Sequence, residues 1–169
     1  MKILVVGEDR IAAEKIFTEN ITKYTNQDFE NAVFDVIYVD LCHIGMDEEF
    51  ENIVDQIDGQ NLKASKIVFL AMAGIDHEIK PTWLAENINQ KELILEIQYV
   101  AKLIDETEIP YTIIRPTEVK SEAKSEVQII TEGQTITTKQ VSEAGVVSLI
   151  KQAIANDQYI NQSIGISDK

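Results

Sequence analysis

Two hydrophobic periods alternate along the chain. Met1–Gly7, MKILVVG, is a continuous apolar run ending in glycine, which predicts a central parallel strand buried on both faces. Ile11, Ala12, Ile16, Phe17 and Ile21 then recur at helical spacing and predict a helix from Ile11 to Tyr24. Tyr24–Glu30 is polar and turn-like. Phe34–Cys42, FDVIYVDLC, predicts a second strand, and Phe50, Ile53, Val54 and Ile57 predict a helix over Met46–Ile57. Lys66–Met72 predicts a third strand. Asp76–Asn89, with Pro81 and Trp83, reads as an irregular loop over the sheet edge.

The stretch that organises the rest is Lys91–Pro116, KELILEIQYVAKLIDETEIPYTIIRP. Leu93, Ile94, Ile97, Val100, Ala101 and Ile104 make one apolar helix face. Pro110 cannot continue the helix, because it lacks the amide donor and its ring clashes with the preceding turn. Tyr111–Ile114 is then a short β-rich run closed by Arg115-Pro116. Glu118–Glu126 reads as a polar loop inside the domain. Alternating β and α units of this size predict a parallel sheet with right-handed crossovers.

Composition narrows the classes. At 169 residues the chain reads as one domain, 1–169. No apolar run reaches eighteen residues and no basic-apolar leader is visible, so neither a membrane span nor a membrane partner is expected. Cys42 is the only cysteine, which excludes a disulfide framework and fits a cytoplasmic setting. A net charge of −14 argues against nucleic acid as a partner and reads first as a solvated, self-repelling surface.

The motifs carry a resemblance. The long helix ending in YTIIRP resembles the NmrA-like, atypical short-chain dehydrogenase/reductase family, whose members carry a similar strand. Val127–Gly133 and Val141–Ile154 resemble that family's late strand and helix, Tyr159–Ser167 its closing strand, and Ile67–Glu78 its central strand. The resemblance implies an α/β fold of the Rossmann-like, doubly wound type: a mostly parallel sheet with helices on both faces, reduced in strand number. It also implies NADP or NAD as cofactor and a reductase-like activity. Between the first strand and Asp35–Tyr38 the family carries two further strands for the adenosine half of the cofactor. Both are expected to be missing here, with strand Phe34–Asp40 moving in beside the first.

The family's phosphate-binding turn is glycine-rich. Here it reads Gly7-Glu8-Asp9-Arg10-Ile11-Ala12-Ala13, the middle glycine being absent through either replacement by Arg10 or deletion of one residue, with two carboxylates where phosphate oxygens would approach. Glu8 and Asp9 also suit a helix N-terminus. The cofactor crevice would be lined by Gly7, Glu8, Asp9 and Arg10, by Ala71, Met72, Ala73 and Gly74, and by Arg115 and Pro116. Arg115 suits a structural role equally. Ala71 stands at the family's serine position. Tyr99 and Lys102 are candidates for the catalytic pair but are spaced by three where the pattern needs four, and both lie off the apolar helix face.

A rival constellation uses the same acids. Glu8, Asp9 and Asp40 at neighbouring strand ends resemble a receiver domain that holds Mg²⁺ and accepts a phosphoryl group. Asp40, Cys42 and His43 include metal-ligand types without ligand spacing, so no metal site is assigned; His77 is isolated. Three functions remain open at this level: an NAD(P)H-binding oxidoreductase-like protein, a non-catalytic descendant acting as a regulator or binding subunit, and the receiver. The expected partner is a small molecule, another protein or a second copy in a homodimer.

Overall fold

The computed structural model describes residues 1–18, 20–122 and 126–169. Seven strands form one sheet: β1 (Ile3–Val6), β2 (Ile21–Lys23), β3 (Ala32–Val39), β4 (Leu62–Leu70), β5 (Tyr111–Pro116), β7 (Val127–Ile130) and β9 (Gln162–Asp168). Their order is β2-β1-β3-β4-β5-β9-β7, parallel throughout except for β7 on β9. A separate parallel pair joins β6 (Glu118–Lys120) to β8 (Gln140–Ser142). Helices α1 (Met46–Asp58) and α2 (Gln90–Glu106) cover one face, and α3 (Glu143–Ala155) covers the other.

The apolar runs explain the layering. Alternate residues Leu4, Val6, Ile37, Val39, Ile67 and Phe69 pack toward α1 and α2. Their neighbours Ile3, Val5, Val36, Tyr38, Val68 and Leu70 pack toward α3. Burial on both faces is what a continuous apolar strand specifies, and each large side chain so enclosed contributes about 1.5–3 kcal/mol. Register brings Val6 opposite Val39, Val39 opposite Phe69 and Leu70 opposite Ile114. The residues that follow these strands therefore meet along one edge.

Three sequence expectations are corrected. Ile11–Tyr24 is not a helix. It holds a 3₁₀ turn at Ala13–Lys15 and then the short strand β2. Thr18, Asn20, Thr22 and Thr25 are weak helix formers, and Asn20 takes φ 59°. The apolar spacing is real, because Ile11, Ala13, Ile16 and Phe17 are buried, but it packs a coil against the α3 face. Second, one of the two strands expected to be lost is present: β2 lies parallel on the outer side of β1, and β3 lies on the inner side. Third, Glu118–Glu126 is not all loop, since it contains β6.

The N-terminal ends of α2 and α3 follow from sequence. Asn89 caps α2 by accepting from the Glu92 amide at 3.2 Å, and Ser142 caps α3 by accepting from the Gly145 amide at 3.2 Å. The C-terminus of α3 is held by Lys66, which rises from β4 with 9 % exposure. Its Nζ donates to the carbonyls of Ala153 and Asn156, each at 2.9 Å, and pairs with Asp157 at 3.1 Å. A cation at a helix C-terminus satisfies carbonyls that have no partner within the helix. Lys66→Met should cost about 2 kcal/mol in urea unfolding at unchanged slope, whereas Asp157→Asn, at the exposed partner, should cost less than about 0.5 kcal/mol. Equal losses would show that the surface pair, not the carbonyl cap, carries the effect.

Candidate functional site

The strand crests are tied together by one carboxylate and one guanidinium. Asp40, fully buried at the end of β3, accepts at Oδ2 from the backbone amides of Arg10 and Ile11, both at 2.9 Å. Its Oδ1 receives Arg10 Nε at 3.1 Å. The rest of the Arg10 guanidinium reaches the crest of β4, donating to the carbonyls of Leu70 and Ala71. One side chain thus spans β1, β3 and β4. Burial opposes the charge on Arg10, but the Coulombic pull of Cys42, Asp40 and Tyr38 outweighs it and raises the guanidinium pKa.

The other two acids of the turn are also committed. Glu8 Oε1 accepts from the Ala13 amide at 2.7 Å, while its Oε2 pairs with Lys23 at 3.1 Å. Lys23 ends β2 and also pairs with Glu14 at 2.8 Å. Asp9 Oδ2 accepts from the Cys42 amide at 2.6 Å and meets His43 Nδ1 at 2.5 Å; His43 Nε2 lies 3.3 Å from Glu49. Burial opposes protonation of His43, but the hydrogen bond it donates to Asp9 and the nearby Asp9 and Glu49 charges outweigh it and raise its pKa. Burial pushes the Cys42 thiol up, and pushes the Tyr38 phenol well up. Tyr38 is enclosed edge-on against Phe17, with its hydroxyl unpaired among the described residues.

Gly7 is indispensable to this turn. It sits at φ 75°, and a Cβ there would lie 2.5 Å from Leu41 Cδ2 and 2.6 Å from the Asp40 carbonyl. The β4 crest is equally occupied: the amides of Ala71 and Ala73 donate to the carbonyls of Ile114 and Pro116. Gly74, at φ 105°, packs against Pro81.

Arg115 does not line the crevice. Its side chain is 1 % exposed and pairs with Glu78, and its Nε donates to Ser163 Oγ at 2.9 Å. Glu78, not singled out from sequence as a site residue, also receives the Gly74 amide and so pins the loop after β4 to the sheet. Pro116 lies buried beside Arg115, its carbonyl used by Ala73. Tyr99 and Lys102 lie on α2 away from the crevice, Tyr99 facing α1. Tyr99 donates to Glu51 at 2.7 Å, a bond that raises its pKa, where a catalytic acid needs a lowered one. Lys102 is 70 % exposed and lies 3.8 Å from Glu106.

Above the crests is a cavity of about 670 Å³ lined by Asp9, Arg10, Cys42, Met72, Trp83 and Leu84. Thr117, residues 118–122 and Glu143 complete its lining. Of the ten cofactor positions named from sequence, Asp9, Arg10 and Met72 reach it. Among the described residues, no group of three or more His, Cys, Asp or Glu is arranged to hold a metal ion. Asp40, which the receiver reading needs open, is enclosed by amides and Arg10.

A family model described as NAD(P)H-binding matches residues 17–157, well over half of the chain. The chain belongs to the NAD(P)H-binding family. Similar solved structures include a short-chain dehydrogenase/reductase from Veillonella parvula in complex with NADP, 21 % identical at TM-score 0.69, covering 98 % of this chain and 82 % of that one. A Rossmann-fold NAD(P)-binding family protein from Shigella flexneri is 16 % identical at TM-score 0.69, covering 99 % and 94 %. An oxidoreductase from Lactococcus lactis is 15 % identical at TM-score 0.70, covering 100 % and 91 %. At these identities the likeness is one of fold. No curated protein matches the chain.

The residues of this NAD(P)H-binding family member do not fit a dinucleotide in the usual pose. That pose needs free amides at the first strand-to-helix turn and the positive end of a helix behind them. Here the amides of Arg10, Ile11 and Ala13 are taken by Asp40 and Glu8, and a three-residue 3₁₀ turn replaces the helix.

Arg10→Met would leave a fully buried Asp40 without its cation and should cost about 3 kcal/mol in denaturant unfolding; a cost under about 1 kcal/mol would contradict the pairing. His43 supplies a pH signature. Its folded pKa is raised, so its contribution is complete below the unfolded value of 6.5 and fades as pH rises through the folded value. The melting temperature of wild type relative to His43→Gln should therefore be higher near about pH 5.5 than near about pH 8.5. The opposite ordering would exclude the Asp9–His43 pair as its source.

Proposed function

We propose that this chain is a non-catalytic member of the NAD(P)H-binding family, acting as a binding or regulatory subunit in the cytoplasm. In this reading its own Asp40 and Arg10 have taken the place of the dinucleotide phosphate. The observation that carries the proposal is the Asp40 carboxylate on the Arg10 and Ile11 amides, with the Arg10 guanidinium latched to it and to the β4 crest. A carboxylate held by two amides and a cation satisfies the donors that a diphosphate would need, and a second anion would meet Glu8 and Asp9 as well.

Hydride-transfer chemistry lacks its usual supports. Ala71 brings no hydroxyl to the crest of β4, and on α2 Tyr99 is bound to Glu51 of α1 and Lys102 lies beside Glu106, both outside the crevice. The crevice over Met72, Trp83 and Leu84 keeps a volume suited to a small ligand, and its four carboxylates, Asp9, Glu118, Glu122 and Glu143, against two cations, Arg10 and Lys120, favour one without phosphates.

The test is a thermal-shift titration with NADPH and NADH to millimolar concentration. A ligand at ~100 times its dissociation constant adds about 2.7 kcal/mol of apparent stability, so binding would be plain. The proposal expects a flat response. A saturable rise in melting temperature with either dinucleotide would overturn it and return the chain to the reductase-like reading.

A further inference from the structure

A second feature lies outside the crevice. Helices α1 and α2 run side by side in the same direction, and the groove between their first two turns encloses about 470 Å³. Asp47, Glu48, Glu92 and Glu96 line it, and no lysine or arginine does among the described residues. Apolar side chains share the same groove: Leu95 is 55 % exposed, Ile44 44 % and Tyr99 38 %. Leu95 and Tyr99 stand four residues apart on α2 and form a short apolar stripe beside the acids.

Helix dipoles account for part of this. Asp47, Glu48 and Glu92 sit in first turns, where carboxylates are favoured. They do not account for Glu96 in the second turn of α2. Glu96 is 8 % exposed, and its Oε1 accepts from the Gly45 amide at 2.7 Å, but Oε2 has no partner among the described residues. Burial and the neighbouring Asp47 carboxylate both raise its pKa. Like charges at such range are relieved by a cation, and a buried carboxylate oxygen without a donor is costly.

We propose that the α1–α2 groove docks a basic amphipathic segment of a partner protein, its lysine or arginine side chains meeting Asp47, Glu48, Glu92 and Glu96 and its apolar side chains covering Ile44, Leu95 and Tyr99. A second copy of this chain fits poorly, because the same face would appose its acids to their own images on a molecule of net charge −14. Charge complementarity selects a basic occupant, and the exposed Leu95–Tyr99 stripe selects one with apolar side chains. The inference names a partner class for the binding role proposed above; the groove itself stands whichever ligand the crevice takes.

The test is fluorescence polarisation of a labelled amphipathic leucine–lysine peptide, with its leucine–glutamate counterpart as control. Wild type should bind the lysine peptide and not the glutamate one. Glu48→Lys/Glu92→Lys should weaken binding at least about tenfold, and Leu95→Ser should weaken it severalfold. Glu30→Lys/Glu132→Lys makes the same charge change away from the groove and should leave binding within about twofold. Equal losses in the two double variants would show attraction to net charge alone and overturn the proposal. So would absence of binding, or a wild-type dimer in light scattering that Leu95→Ser dissolves. Dinucleotide binding in the thermal-shift titration would change none of these outcomes, so the two proposals fail separately.

Discussion

The structure depends on the fully buried Asp40 carboxylate and the arginine that answers it. Asp40 follows the half of β3, Val36–Val39, that is enclosed on both faces, and is itself fully buried, so its charge has no solvent within reach. Two turn amides and the Arg10 guanidinium supply what water would have supplied, and Arg10 carries the linkage on to the carbonyls of β4. Three crests are thereby locked in one arrangement. Removing either partner leaves an uncompensated charge in the interior, which is why the pair acts as a structural unit.

That lock also explains how the turn after β1 holds together without a helix. In the usual arrangement a full helix follows this turn, and its dipole and free amides hold a phosphate. Here the segment shrinks to a 3₁₀ turn, and Ile11, Ala13, Ile16 and Phe17 pack it against the α3 face. The amides left over are satisfied internally by Asp40 and Glu8, and Lys23 at the end of β2 balances Glu8. A fold shared with NAD(P)H-binding proteins is retained while Asp40 and Glu8 accept the amides of this turn. The sheet, the α1–α2 layer and the crevice lined by Trp83 surround it.

Much of the fold was legible because strands buried on both faces read as unbroken apolar runs, as in Met1–Gly7 and Phe34–Cys42, and because Pro110 punctuates the α2-to-β5 junction. The 3₁₀ segment was not legible. Ile11, Ile16, Phe17 and Ile21 have helical spacing, yet tertiary packing buries the first three from a coil and puts the fourth in a strand. The site was half legible. Arg10 in the first turn and Asp40 at a strand end were both visible, but nothing in the spacing says that they meet across thirty residues. Arg115 was ambiguous from sequence, since a strand-end arginine can face a crevice or the interior. Glu78, its buried partner, lies in a loop with no periodicity to mark it.

The most direct measurement of the central claim is amide hydrogen exchange and chemical shift by NMR at Arg10, Ile11 and Ala13, with and without NADPH. The account predicts that all three amides are strongly protected in the free protein and that their shifts stay fixed when NADPH is added. Rapid exchange in the free protein, followed by protection and shifted resonances with NADPH, would show an open phosphate cradle and contradict the account.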